Sequence, residues 1–212
     1  MRARINGDVV IVIAECDEEQ AVVSEFADRM QSHVFLLMQQ DSRTLRLHDQ
    51  GPHEIACREP INVSSRSSDA AIRLISNLAH TPFQLDGQEY ASVEAFWQGL
   101  KFPDEKRRRE IATMHGLAAR KAGQSAPEAE TIQYMGRTIR VGTADHADLM
   151  RQACAAKFAQ HERARNALRG TGERPLIHRL GHDSRTIPAA LMAEIWMRIR
   201  ADISRKRRHR WH

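Results

Sequence analysis

Ser92-Val93-Glu94-Ala95-Phe96-Trp97-Gln98-Gly99-Leu100-Lys101-Phe102 reads as a helix carrying polar groups where a packed helix wants none. At 3.6 residues per turn, Glu94, Gln98 and Lys101 stand four and then three positions apart and stack along one stripe. Val93, Trp97 and Leu100 occupy the next sector, with Phe96 beyond it. The helix is therefore expected to sit in a core while carrying a carboxylate, an amide and an amine. Burying such groups is unfavourable unless they are paired or used. On one reading Glu94 and Lys101 form a loose ion pair on a partly solvated face, worth a fraction of a kcal/mol. On the other, their separation of about 10 Å along the axis puts them on either side of a pocket that a small molecule would fill. Trp97 can stack on a base or pack in the core, and its helical position favours the core.

Outward from this helix the pattern is that of an α+β chain, predominantly helical from 59 to 203, with a small β-α-β-β extension over 1–58. Ser92 suits a helix N-cap. Asp86-Gly87 is a tight-turn dipeptide, so Phe83–Leu85 and Glu89–Tyr90 are expected to pair as a hairpin. Helices are expected over 104–114, 117–122 (closed by Gly123), 145–160 and 188–203. A strand or hairpin arm is expected over 134–141 and a short strand over 61–63. In the extension, the β-branched run over 8–14 suits a strand buried on both faces. An amphipathic helix then spans 18–32, and strands follow over 34–38 and 44–47.

The 212 residues support one good core with a smaller appended unit. Apolar residues at 42% and charged residues at 28% exclude a disordered chain. No apolar run approaches the roughly 18–20 residues of a membrane span, and the first residues do not resemble a secretion signal, so a cytoplasmic protein is expected. Cys16, Cys57 and Cys154 are scattered without a C-x-x-C pair, which points to buried thiols. The net charge of +5 belongs to the tail over 204–212, which holds five Lys and Arg and no acid; the remaining 27 basic residues match 27 acidic ones. Such a tail either binds nucleic acid through phosphate counterion release or is a solvated terminus.

Further candidates are scattered. In the 145–160 helix, Lys157 falls on the apolar stripe of Met150, Ala153, Cys154 and Phe158; its amine either snorkels outward or meets an anionic ligand group. Ser76 and Asn77 offer hydroxyl, amide and backbone donors to sugar or phosphate oxygens, or else satisfy their own turn. His178 and His182 have the spacing of a helical metal pair, but Gly181 and Pro175 oppose a helix, and no metal is expected. Glycine-rich phosphate loops are absent, and no cofactor is implied.

Ile75-Ser76-Asn77-Leu78, the Asp86-Gly87 turn, Ser92-Val93-Glu94 and Gln98-Gly99-Leu100-Lys101-Phe102 together resemble the NADAR family. The likeness continues through Ala118-Ala119, Gly123, Met150, Lys157-Phe158, Leu168 and Thr171-Gly172, covering roughly 61–203. It implies an N-glycosidase that cleaves the C–N bond between a ribose-type sugar and a base. Some members act on phosphorylated riboflavin-synthesis intermediates, and others remove ADP-ribose from guanine in nucleic acid. The chain departs from the family pattern where many members have Asp-x-x-Trp-Gly: Asp183 keeps the aspartate's place, and the Trp-Gly is missing.

For such a reaction, Glu94 is the first candidate for general acid/base work, and Asp183 is the second acid. Lys101 either attacks the anomeric carbon to form a Schiff base, as the resemblance suggests, or stands as fixed charge against a phosphate. Ser76, Asn77, Trp97, Gln98, Lys157 and Arg185 are the candidate substrate contacts. The expected substrate is an ADP-ribosyl or phosphoribosyl adduct, with ADP-ribosylated guanine in nucleic acid favoured by the basic tail. The alternatives are a riboflavin-intermediate glycosidase and a non-catalytic ADP-ribose or nucleic-acid binding module.

Overall fold

A computed structural model describes residues 1–6, 9–39, 45–53, 58–179, 184 and 186–208 of the chain. Its contacts divide into two units, Met1–Arg58 and Glu59–His212.

In the first unit, β1 (Arg2–Asn6) and β2 (Val9–Ile13) form an antiparallel ribbon with Arg2 opposite Ile13. After α1 (Asp17–Met30), β3 (His33–Gln39) and β4 (Leu45–Pro52) pair antiparallel. The order carries one strand more than the expected β-α-β-β. The Arg-Ala-Arg start of β1 hides its apolar alternation, and the partner β2 supplies the pairing. The β-branched run of β2 is not buried on both faces: Val10, Val12 and Ile13 are 38%, 41% and 38% exposed. A two-stranded ribbon has too little surface to cover both of its faces. The N-terminal amine pairs with Glu15 and Glu19 at 3.1 and 2.5 Å.

The second unit carries the larger core. β5 (Ile61–Asn62) runs parallel to β10 (Leu176–Ile177), joining the start of the unit to the segment that precedes its last helix. Between them come α2 (Ala70–Ile75), the hairpin β6 (Phe83–Leu85) and β7 (Gln88–Tyr90), α3 (Val93–Gly99), α4 (Glu105–Ala112) and α5 (Gly116–Gln124). A second hairpin, β8 (Thr131–Tyr134) and β9 (Arg137–Arg140), precedes α6 (Ala144–Gln160) and α7 (Glu162–Gly170). The last helix, α8, spans Ala189–Arg208. Among the described residues no helix is long and apolar enough to cross a membrane.

Local chemistry explains these boundaries. Asp86 and Gly87 both take positive φ, 49° and 80°, the backbone a two-residue hairpin turn needs. Ser92 Oγ accepts from Ala95 N at 3.0 Å, capping α3. The helix then stops at Gly99, short of Phe102, and Lys101 N turns back to Gln98 O at 3.3 Å. α5 continues through Gly123, which was expected to close it. α2 and α7 are additions to the expected set: each is short, and α7 faces inward only through Ala164, Ala167 and Leu168.

α6 lies at the centre. Met150, Ala153, Cys154, Lys157 and Phe158 are all at most 3% exposed, as their spacing requires. Phe96, Ile75, Leu168, Ile195 and Trp196 join them at 1% or less, each contributing about 1.5–3 kcal/mol by burial. Lys157 does not snorkel. Its ammonium donates to Ile75 O at 3.0 Å and Ser76 O at 2.8 Å, satisfying carbonyls at the C-terminal end of α2.

Removing that donor strands buried acceptors. Lys157→Met is expected to lower the unfolding free energy by about 2–4 kcal/mol, measured by urea denaturation. Burial pulls the Lys157 amine down to about 7 from 10.5. Between those values the unfolded chain binds more protons at this site, so stability from this group rises with pH. The deficit of the variant relative to the natural protein should therefore grow from pH 7 to pH 10.

Candidate active site

The loop after α2 and the first turn of α3 build the site together. Glu94 N, a spare donor of the helix start, bonds to Asn77 O at 2.9 Å, which locks the loop against α3. The Ser76 and Asn77 side chains have protein partners. Ser76 Oγ accepts from Leu78 N at 3.3 Å. Asn77 Nδ2 reaches Met192 Sδ at 3.1 Å and Met150 Sδ at 3.7 Å, and its Oδ1 faces Cys154 Sγ at 3.7 Å. These two residues build the loop that presents Glu94.

Glu94 is partly buried, and its Oε1 accepts from Gln98 Nε2 at 2.8 Å. Burial pushes the carboxyl above its usual range. The Gln98 bond and the charges of Arg120, Lys101 and His178 pull it back in part. Basic side chains from three places thus act on Glu94: just past the end of α3, α5 and the segment after β10. Lys101 is displaced in the opposite sense. Desolvation lowers its pKa, Glu94 opposes the shift, and Arg120 adds to it. The structure brings Glu94 and Gln98 together by a hydrogen bond, whereas Lys101, past the helix end, is exposed and acts on Glu94 through its charge.

Gln98 is 8% exposed, and its Oε1 has no hydrogen-bond partner among the described residues. It packs on Gly123 of α5. A Cβ there would lie 1.8 Å from Gln98 Oε1 and 2.8 Å from its Cβ. The glycine therefore permits a close α3–α5 approach inside the helix and does not end it.

Trp97 points elsewhere. It is 8% exposed and stacks on His146 with ring centroids 4.4 Å apart, within the main core. Burial lowers His146 to about 4, so the stacked imidazole is neutral at physiological pH. Lys157 is likewise committed to α2. Asp183 and Arg185 lie outside the described residues.

Arg120 and His178 join the site from distant parts of the sequence. His178 Nδ1 lies 2.9 Å from Val63 O. A carbonyl only accepts, so Nδ1 carries a proton toward Val63 O. The ring stands edge to face with Trp196 at 5.3 Å. His182 lies outside the described residues, and among those described no group of three or more His, Cys, Asp or Glu side chains is placed to hold a metal.

The family described as bacteriophage protein GP30.3 matches residues 70–200, the stretch from α2 into α8. The chain belongs to this family. An uncharacterized 17.1 kDa protein of Enterobacteria phage T4 is 30% identical over 107 residues, covering 49% of this chain and 70% of that protein. N-glycosidase YbiA of Escherichia coli is 29% identical over 125 residues, covering 58% of this chain and 72% of that protein. The NMR structure of E. coli YbiA superposes with a TM-score of 0.51 at 20% identity, over 72% of this chain and 92% of that one. The fold is therefore shared with YbiA, and the NADAR assignment read from the sequence holds. Glu94, Lys101, Arg120 and His178 all fall within the matched stretch.

Proposed function

We propose that this protein is an N-glycosidase that hydrolyses the C–N bond between an ADP-ribose or phosphoribose sugar and a base, with ADP-ribosylated guanine in nucleic acid as the favoured substrate. The observation that carries the proposal is a partly buried carboxyl, Glu94, held by Gln98 at 2.8 Å under the charges of Arg120 and Lys101, in a chain similar to proteins named N-glycosidase.

The shifts of Glu94 and Lys101 are complementary. A raised carboxyl holds a proton longer and delivers it to the departing base nitrogen; a lowered amine is more often free to act as nucleophile. Lys101 Nζ bonds to the anomeric carbon as the C–N bond to the base breaks, and the base leaves with the Glu94 proton. Ring opening moves a proton from the new C–N linkage to the ring oxygen, leaving a protonated Schiff base. Water adds to this imine, frees the sugar and restores the amine, and a proton returns to Glu94. Arg120, exposed beside Glu94, supplies a fixed cation for a phosphate oxygen. α8 carries the basic run beginning at Arg205, which supports a nucleic-acid substrate.

The test is to incubate the protein with ADP-ribosylated DNA, and separately with aminouracil ribose phosphate, in the presence of borohydride. Turnover of the DNA adduct and a reduced sugar adduct on the peptide containing Lys101, absent in Lys101→Ala, are expected. Turnover without any trapped adduct would reduce Lys101 to an electrostatic role. Preferential turnover of the aminouracil compound would move the substrate to riboflavin-type intermediates. ADP-ribose binding with no turnover of either would leave a binding module.

A further inference from the structure

A cavity of about 490 Å³ opens on the other side of α3 from Glu94. At 3.6 residues per turn, Phe96 lies roughly 200° around the helix from Glu94, and it lines this cavity with Gly99 and Leu100. The tips of the two hairpins form its sides. Tyr134 donates its hydroxyl to Asp86 Oδ2 at 2.5 Å and ties tip to tip.

Two partly buried tyrosines, Tyr90 and Tyr134, flank the cavity, each perpendicular to the buried Phe96 between them in the contact chain. Tyr90 and Phe96 meet with centroids 5.1 Å apart at 89°, and Phe96 and Tyr134 meet at 5.7 Å and 89°. Such walls suit a flat ring, which can meet one face to face and another edge on. The charges around the cavity cancel: Asp86 and Glu105 against Arg108 and Arg109. All four have protein partners. Asp86 accepts from Tyr134, Arg109 pairs with Glu105 at 3.3 Å, and Arg108 donates to Phe102 O and Gln133 O at 2.5 and 2.7 Å. A free cation or anion therefore gains little here.

The Tyr90 hydroxyl differs from these groups, having no hydrogen-bond partner among the described residues. Burial and the nearby carboxylates of Glu105 and Asp86 push it up to about 12, so it remains a proton-bearing donor. A ligand that fills the cavity has to be flat, uncharged and able to accept this hydrogen bond at its edge. The volume lies within the usual range for small-molecule sites.

We propose that this cleft binds an uncharged nitrogen heterocycle of nucleobase size, packed between Tyr90 and Tyr134 and held by the Tyr90 hydroxyl. The base comes either from a free nucleoside or from an unpaired position of a single strand. The proposal is independent of the chemistry at Glu94, because the two sites lie on opposite faces of α3.

The test is titration of the ¹⁵N-labelled full chain with guanosine, adenosine and cytidine, and in parallel with single-stranded oligonucleotides of the same bases. Saturable shifts of the Gly87, Gly99 and Gly136 amides are expected. Tyr90→Phe, which keeps the ring, should weaken binding about fivefold, and Tyr90→Leu about tenfold or more. Tighter binding of the oligonucleotide would identify a strand as the source, and equal binding a free nucleoside. Shifts confined to the amides of Gln98, Arg120 and His178, no saturable shift with any ligand, or natural affinity in both Tyr90 variants would overturn the proposal.

Discussion

Glu94→Gln is expected to lower kcat by about a hundred- to ten-thousandfold on whichever glycosyl adduct the natural protein turns over, since general acid–base groups contribute on that order. The shape and the hydrogen bond survive, because a glutamine oxygen at position 94 still accepts from Gln98 Nε2. What disappears is the transferable proton. The same substitution should not destabilise the fold at neutral pH. Burial holds the Glu94 carboxyl above its ordinary 4.5, so the folded chain keeps a proton that the unfolded chain has already released. Stability from this group falls as pH rises through that window. The amide carries no charge at any pH, so the variant escapes that pH-dependent loss. The variant is expected to melt at or above the natural temperature at pH 7, with the difference vanishing below about pH 4.5. Near-natural rates in this variant would remove Glu94 from the chemistry; a lost fold would make the rate uninterpretable, and the melting curve separates the two.

Much of this site was legible because it is local. The Ser92 cap, the Asp86-Gly87 turn and the stripe of Glu94, Gln98 and Lys101 depend on residues within a turn or two of one another, where periodicity and dihedral preference decide the outcome. The core stripe of α6 was readable for the same reason. Arg120 and His178 had no such signal: 26 and 84 positions separate them from Glu94 in sequence, and only packing of α5 and the β10 segment onto α3 brings them near. Lys157 was placed on the right face, but its partners, the carbonyls of Ile75 and Ser76, belong to α2, a helix of six residues with too little periodicity to read. Gly123 failed in an informative way. A glycine after an alanine-rich helix is usually a terminator, whereas here the missing side chain is what matters, and that need arises from Gln98 on another helix.

Gly123→Ala tests that need directly. The added Cβ would stand 1.8 Å from Gln98 Oε1, 2.5 Å from its Cδ and 2.8 Å from its Cβ. Moving the amide tip relieves the first contact but not the last, so either Gln98 leaves its rotamer or α5 backs away from α3. Overpacking of this kind costs about 1–3 kcal/mol, against which alanine's better helix propensity returns less than about 1. A net loss of stability is expected, visible as a lower urea midpoint. Function should suffer more than stability. The Gln98 bond is one of the influences that hold the Glu94 carboxyl down, so its loss raises that pKa further and moves the corresponding limb of the pH–rate profile to higher pH. Adding Gln98→Ala to Gly123→Ala removes the closest clashes and should recover part of the stability without restoring the pH profile. That non-additivity is the signature of two side-chain positions sharing one space. If Gly123→Ala alone left both the urea midpoint and the pH profile unchanged, the α3–α5 contact would have to be looser than the structure describes, and Gln98 would not be what positions Glu94.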